Sequence, residues 1–171
     1  MEFILNDTYG INGIENIDLR EIIEIFGEPD EREIIRDSKD KDFKVNFMYS
    51  EPELEIFYRI NHFFESDEVE WHSLSFIVKE LYLNNELKIK NGEEMWKVLD
   101  KIELYHDKIN KPFEFEHEED EYSGSYEFTN LEMTVYFEIE NGMKYLDDIY
   151  VDLPYEDDPE VLSFEEILYM K

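Results

Sequence analysis

The sequence predicts an α+β protein. It reads as a tandem repeat of one helix plus a three-stranded antiparallel sheet, with the helices packed on one face and a short helix at the C-terminus. Three observations predict this. Several segments alternate apolar and polar residues with a period of two, the pattern of a strand with one buried face. Two segments carry apolar residues at helical spacing, with start and stop signals. Apolar and capping landmarks recur in the same order at a period of about 77 residues, longer than the repeats of solenoids.

The first unit spans residues 1–79. Phe3-Ile4-Leu5, the turn Asn6-Asp7 and Thr8–Ile11 suit a small hairpin. The stretch Asp18–Asp30 reads as one amphipathic helix with both ends marked. Asp18 is a good N-cap, Glu21 completes a capping box, and Ile17 and Ile22 form a hydrophobic staple. Leu19, Ile22, Ile23 and Phe26 make one apolar stripe. Gly27 can take a left-handed conformation, and Pro29 stops the helix resuming. The charged run Asp30–Asp42 is expected to be a loop. Strands are expected over Phe43–Tyr49, Leu54–Ile60 and Trp71–Lys79, with Val45, Phe47, Ile56, Tyr58, Leu74 and Phe76 facing inward.

The second unit, residues 80–153, restarts the pattern. Leu81-Tyr82-Leu83-Asn84-Asn85 echoes the first triplet and turn. Asn91 is expected to cap a helix, with Glu94 at the capping-box position and Met95, Val98, Leu99 and Ile102 as the stripe. Tyr105–Glu121 is expected to be a long loop. Strands follow over Tyr122–Phe128, Leu131–Ile139 and Tyr145–Leu153, the last two joined by Asn141-Gly142, a strong hairpin turn. Two packings satisfy the layout: a separate sheet per unit, or both sheets joined edge to edge. Residues 154–171 hold an acidic turn and a last helix capped by Ser163 and Glu166, and the chain is expected to form one compact domain.

The bulk composition excludes several function classes. Asp and Glu number 46 against 16 Lys and Arg, a net charge of −30. Disordered acidic chains lack aromatics, and this one has 13 Phe, 12 Tyr and 2 Trp. No basic stripe exists to neutralise phosphates, so nucleic acid is not an expected ligand, and an anionic membrane is disfavoured on the same ground. There is no cysteine, which removes disulfides, thiolate metal sites and cysteine nucleophiles. The N-terminal MEFILNDTYG has no basic n-region and no long apolar run, so a cytoplasmic location is expected.

No motif names a catalytic activity. His62, His72, His106 and His117 show no i, i+4 pairing and no HExxH. The acidic runs Glu116–Glu121, Asp147-Asp148 and Glu156–Asp158 lack EF-hand spacing, so they read as solvated charge, with calcium the less favoured alternative. Phosphate-binding glycine loops and GxSxG elbows are absent. No catalytic residue, metal ligand or cofactor is assigned, and the chain is not expected to be an enzyme.

The outward strand faces say more. Opposite the inward sets lie Glu55, Phe57 and Arg59, then Glu132, Thr134, Tyr136, Glu138, Tyr150 and Asp152. Acids alternating with aromatics suit an interface with a basic protein. Glu55, Phe57, Glu132, Tyr136, Glu138, Tyr150 and Asp152 are the expected partner-binding residues. Packing of this face against the rest of the chain is the alternative.

In layout the chain is similar to the β-lactamase inhibitor proteins, in which two helix-plus-strands units form one concave sheet. The likeness is topological, covers residues 1–153 and rests on no shared motif; those inhibitors are secreted and disulfide-bonded, and this chain has no Cys. In character it resembles the small acidic immunity proteins of bacterial toxin systems. That resemblance implies a cytoplasmic protein, monomeric or homodimeric, that blocks a basic toxin by steric occlusion. The alternative is a scaffold module of a larger assembly with no inhibitory role.

Overall fold

The computed structural model describes residues 1–7, 10–14, 19–36, 42–62 and 69–153. In chain order its regular elements are α1 (Leu19–Phe26), β1 (Glu31–Arg36), β2 (Asp42–Tyr49), β3 (Leu54–His62), β4 (Val69–Val78), β5 (Glu80–Tyr82) and β6 (Lys88–Lys90), followed by α2 (Met95–Lys108), β7 (Glu116–Glu119), β8 (Ser123–Phe128), β9 (Met133–Glu140) and β10 (Met143–Asp152). Eight strands form one antiparallel sheet in the order β1-β2-β3-β4-β10-β9-β8-β7, and β5 and β6 form a separate pair.

The architecture is therefore mostly β, and it corrects the tandem repeat of a helix plus a three-stranded sheet. The hydrogen-bonded ladder runs without a break through the middle of the molecule. There Ile149 pairs with Val78, Tyr150 with Ile77, Val151 with Phe76 and Asp152 with Ser75. Two separate sheets would leave a row of unpaired N–H and C=O groups along β4 and another along β10, and joining them satisfies both. Nor are the two halves copies. The helices have 8 and 14 residues. The echoed triplets pair with each other, Leu5 N–H donating to Tyr82 O at 2.8 Å and Tyr82 N–H to Phe3 O at 2.8 Å.

Other boundaries also move. Within the charged run after α1, Glu31–Arg36 is a strand: in EREIIR, Ile34 faces the core beside Val45 and Ile35 faces out. Within Tyr105–Glu121 the helix continues to Lys108, and Glu116–Glu119 forms the opposite edge strand, exposed at every residue. Asn91 does not cap α2. Its side chain donates to Asp147 O at 3.0 Å, and the helix starts three residues beyond Gly92, whose φ of 86° turns the chain. Asp18 and Ile17 of the first cap, and the C-terminal helix of residues 154–171, lie outside the described residues.

The inward strand sets hold at the residues that follow, but Tyr122, the first residue of the expected Tyr122–Phe128 strand and expected to face inward, lies before β8 and is 71% exposed. Val45, Phe47, Leu54, Ile56, Tyr58, Leu74, Phe76 and Val78 join Phe128, Met133, Val135, Phe137, Leu146, Ile149 and Val151 in one buried cluster. The helices cover this inner face, contributing Ile22 from α1 and Met95, Val98, Ile102 and Tyr105 from α2. Phe26 lies edge-on to Phe76 at 6.1 Å. Gly27, at φ 81°, ends α1 as the sequence predicts, and its carbonyl accepts a 3.0 Å bond from the Tyr49 hydroxyl. Burial pushes that hydroxyl's pKa up to about 12, so it stays a donor across the physiological range.

Gly124 in β8 is required by space. A Cβ there would lie 2.5 Å from the Glu118 carbonyl oxygen and closer still to the Phe137 ring. Backbone on one side and a packed ring on the other cannot both yield. Gly124→Val is expected to lower stability by about 1–3 kcal/mol, read as a lower urea midpoint.

Candidate functional site

The outer face of the sheet is built by the same alternation that fills the core. Directly paired antiparallel residues share a face, so the register fixes its rows. One row runs Met48, Glu55, Ile77, Tyr150, Thr134 and Glu127 across six strands. Beside it run Asn46, Phe57, Ser75 and Asp152, with Glu132 just before the start of β9. Tyr136 faces Ser125, which faces Glu118, and Glu138 faces Tyr145.

The structure thus brings Glu55, Phe57, Tyr136, Glu138, Tyr150 and Asp152 onto one surface. Glu132 joins them from the turn, where its φ of 49° and the bond from Asp152 N–H to its carbonyl at 2.8 Å hold it beside β10. The two helices place their buried side chains in the inner cluster, and no described helix contributes one to the outer face.

Tyr136 and Tyr150 are the aromatic centre, with rings 4.7 Å apart and tilted by 57°. Tyr136 remains 40% exposed. A hollow of about 830 Å³ opens beside them, lined in part by Glu118, Ser125, Glu138 and Asp148. Sequence reasoning missed Glu118 and Asp148 as members. Glu118 arrives only through the β7 register, and Asp148 through a bulge in β10 between Leu146 and Ile149. That bulge is held by Lys79, whose ammonium bonds Asp148 at 2.7 Å and Asp147 at 3.2 Å. Burial alone would lower the Lys79 pKa; the two carboxylates outweigh it and raise it.

Acids gather around the two tyrosines, while Lys44 and Arg59 stand opposite each other in register at the β2–β3 side of the same face. Burial raises the Asp152 carboxyl's pKa, opposed by the bond it accepts from Ser75 Oγ. Burial, then the charges of Asp152 and Glu127, raises that of Glu132. Burial, then Asp152, Glu127 and Glu118, raises that of the Tyr136 hydroxyl. Among the described residues, neither Glu118 nor Glu138 forms an ion pair. Some acids are partnered, among them Glu119 by Lys144 and His117 and Glu93 by Lys101 at 2.7 Å.

A carboxyl with a raised folded-state pKa binds more protons folded than unfolded. Its contribution to stability is therefore present at low pH and is lost as pH rises from the unfolded pKa through the folded one. For Asp152 that window opens at the ordinary aspartate value of 3.8. Asp152→Asn keeps an oxygen for Ser75 and removes the buried charge. Its stability is expected to exceed that of the parent chain above the window, with the gain shrinking as pH falls. Urea midpoints at pH 5 and pH 8 check this; a variant less stable at both would contradict it.

Neither His106 nor His117 forms a site with other titratable groups among the described residues. His106 is wholly buried, its Nδ1 2.8 Å from Ile102 O and its ring 5.3 Å from Phe113. His117 stacks on Tyr126 at 4.5 Å at the exposed edge. Among the described residues no group of three or more His, Cys, Asp or Glu could hold a metal ion, and no helix is long and apolar enough to cross a membrane. Comparison with protein-family models, curated proteins and solved structures finds no match for this chain.

Proposed function

We propose that this chain is a non-enzymatic binding protein, a cytoplasmic immunity protein that inhibits a basic bacterial toxin by steric occlusion. The observation that supports it is the outer sheet face, where Tyr136, Tyr150 and Phe57 stand among Glu55, Glu118, Glu132, Glu138 and Asp152. Aromatic anchors inside an acidic surround are what a partner rich in Lys and Arg requires. A rigid antiparallel sheet presents them with little ordering cost on binding. The −30 charge steers a basic partner toward the face and speeds encounter. Occlusion needs no catalytic group on this chain: the face covers the toxin's active site, and carboxylates pair with its cations.

The test is affinity capture from the source organism's lysate and secreted fraction, first at low and then at moderate salt. The expected result is a basic partner that elutes as salt rises and whose toxic or enzymatic activity is lost in the complex. Neutral partners, or self-association that buries Tyr136 and Tyr150, would overturn the inhibitor reading in favour of a scaffold module.

A further inference from the structure

We infer that the hollow beside Tyr136 and Tyr150 receives an arginine side chain presented by the basic partner. The inference rests on the proposed reading of the outer face and names the group that face selects. Tyr136 offers an exposed ring braced by Tyr150 at 4.7 Å, so its orientation is set before binding. Glu138 is two residues along the same strand face, roughly 7 Å away by strand geometry. Glu118 lies two strands over on the same face, beyond Ser125, at roughly 10 Å by strand spacing. Both carboxylates lack a cationic partner among the described residues. The site thus combines an aromatic surface with acceptors on two sides, in a hollow of about 830 Å³.

Arginine matches that arrangement and lysine does not. The guanidinium is planar, stacks on an aromatic ring and carries five donors fanned in one plane, so it can lie on Tyr136 while reaching carboxylates to either side. It is also less strongly hydrated than an ammonium, so a half-buried site costs it less. An ammonium is a compact point charge that would pair with one carboxylate and stay in water.

The experiment titrates the whole chain, labelled with ¹⁵N, with triarginine and separately with trilysine, following backbone amide shifts. Triarginine is expected to shift the amides of Ser125, Tyr136, Glu138 and Tyr150 and to bind about threefold or more tighter than trilysine. Tyr136→Leu keeps apolar area and removes the π face; it is expected to abolish the preference while the rest of the spectrum stays that of the folded chain. Glu118→Gln with Glu138→Gln is expected to weaken both peptides. Equal affinities at these amides would overturn arginine selection while leaving the outer face as a basic-partner surface. Shifts spread evenly over the acidic surface, or centred on α2, would overturn both.

Discussion

Replacing Phe76 by Ala is expected to cost about 3–5 kcal/mol of stability, the range for emptying a buried aromatic site. Phe76 is wholly buried and sits where the two halves of the sheet meet, paired with Ile56 of β3 on one side and Val151 of β10 on the other. The Phe26 ring closes over it from α1. Three separate elements would have to move inward to fill the space, and two of them are fixed by the ladder. The collapse that softens such substitutions at a sheet edge is therefore not open to this site. Ile139→Ala, at a half-buried position near the far end of the cluster, is the comparison and is expected to cost less. Urea unfolding followed by circular dichroism measures both. Because the ladder is continuous, one transition is expected; two transitions would mean that the halves fold independently, as separate units would.

Replacing Tyr136 or Tyr150 by Ala is expected to weaken the basic partner's binding by about 2 kcal/mol each, roughly thirtyfold, as for aromatic anchors at interface centres. The two losses are not expected to add, because the rings touch and each positions the other. Glu138→Lys is expected to act differently. It places a like charge before the partner, so it slows association and reduces the salt dependence rather than chiefly speeding dissociation. Surface plasmon resonance separates the rates. If both tyrosine variants bind like the parent chain, the outer face is not the contact.

The sequence carried the strands wherever one face is buried, because a two-residue alternation is then forced on it. Phe43–Tyr49 and Leu131–Ile139 announce themselves by that pattern, and the outward residues follow from the same parity. The edge strands escaped for the converse reason. Glu116–Glu119 has no buried residue, so nothing in EHEE distinguishes a strand from a solvated loop. In EREIIR the adjacent isoleucines point to opposite faces, and a period of two does not appear.

The tandem repeat was a different failure. Local landmarks recur without being equivalent: Asn91 and Asp18 occupy matching places in the pattern, yet Asn91 bonds Asp147 O instead of a helix N-terminus. Pairing of Ser75 with Asp152 joins positions 77 residues apart, which no local pattern encodes. The hollow was hidden twice over. One extra residue at the Asp147–Asp148 bulge breaks the parity of β10, and Glu118 belongs to a strand with no sequence signal.

Contact between the outer face of the sheet and a basic protein can be read by site-specific labelling. The chain contains no cysteine, so single cysteines can be placed and labelled without interference. Ser125→Cys reports the outer face beside Tyr136, and Glu103→Cys reports the exposed side of α2. The measurement is the rate of maleimide labelling of each, with and without the basic partner recovered by capture. The partner is expected to slow labelling at Ser125→Cys and to leave Glu103→Cys unchanged. Protection at Glu103→Cys alone would contradict it and move the interface to the helical side of the molecule.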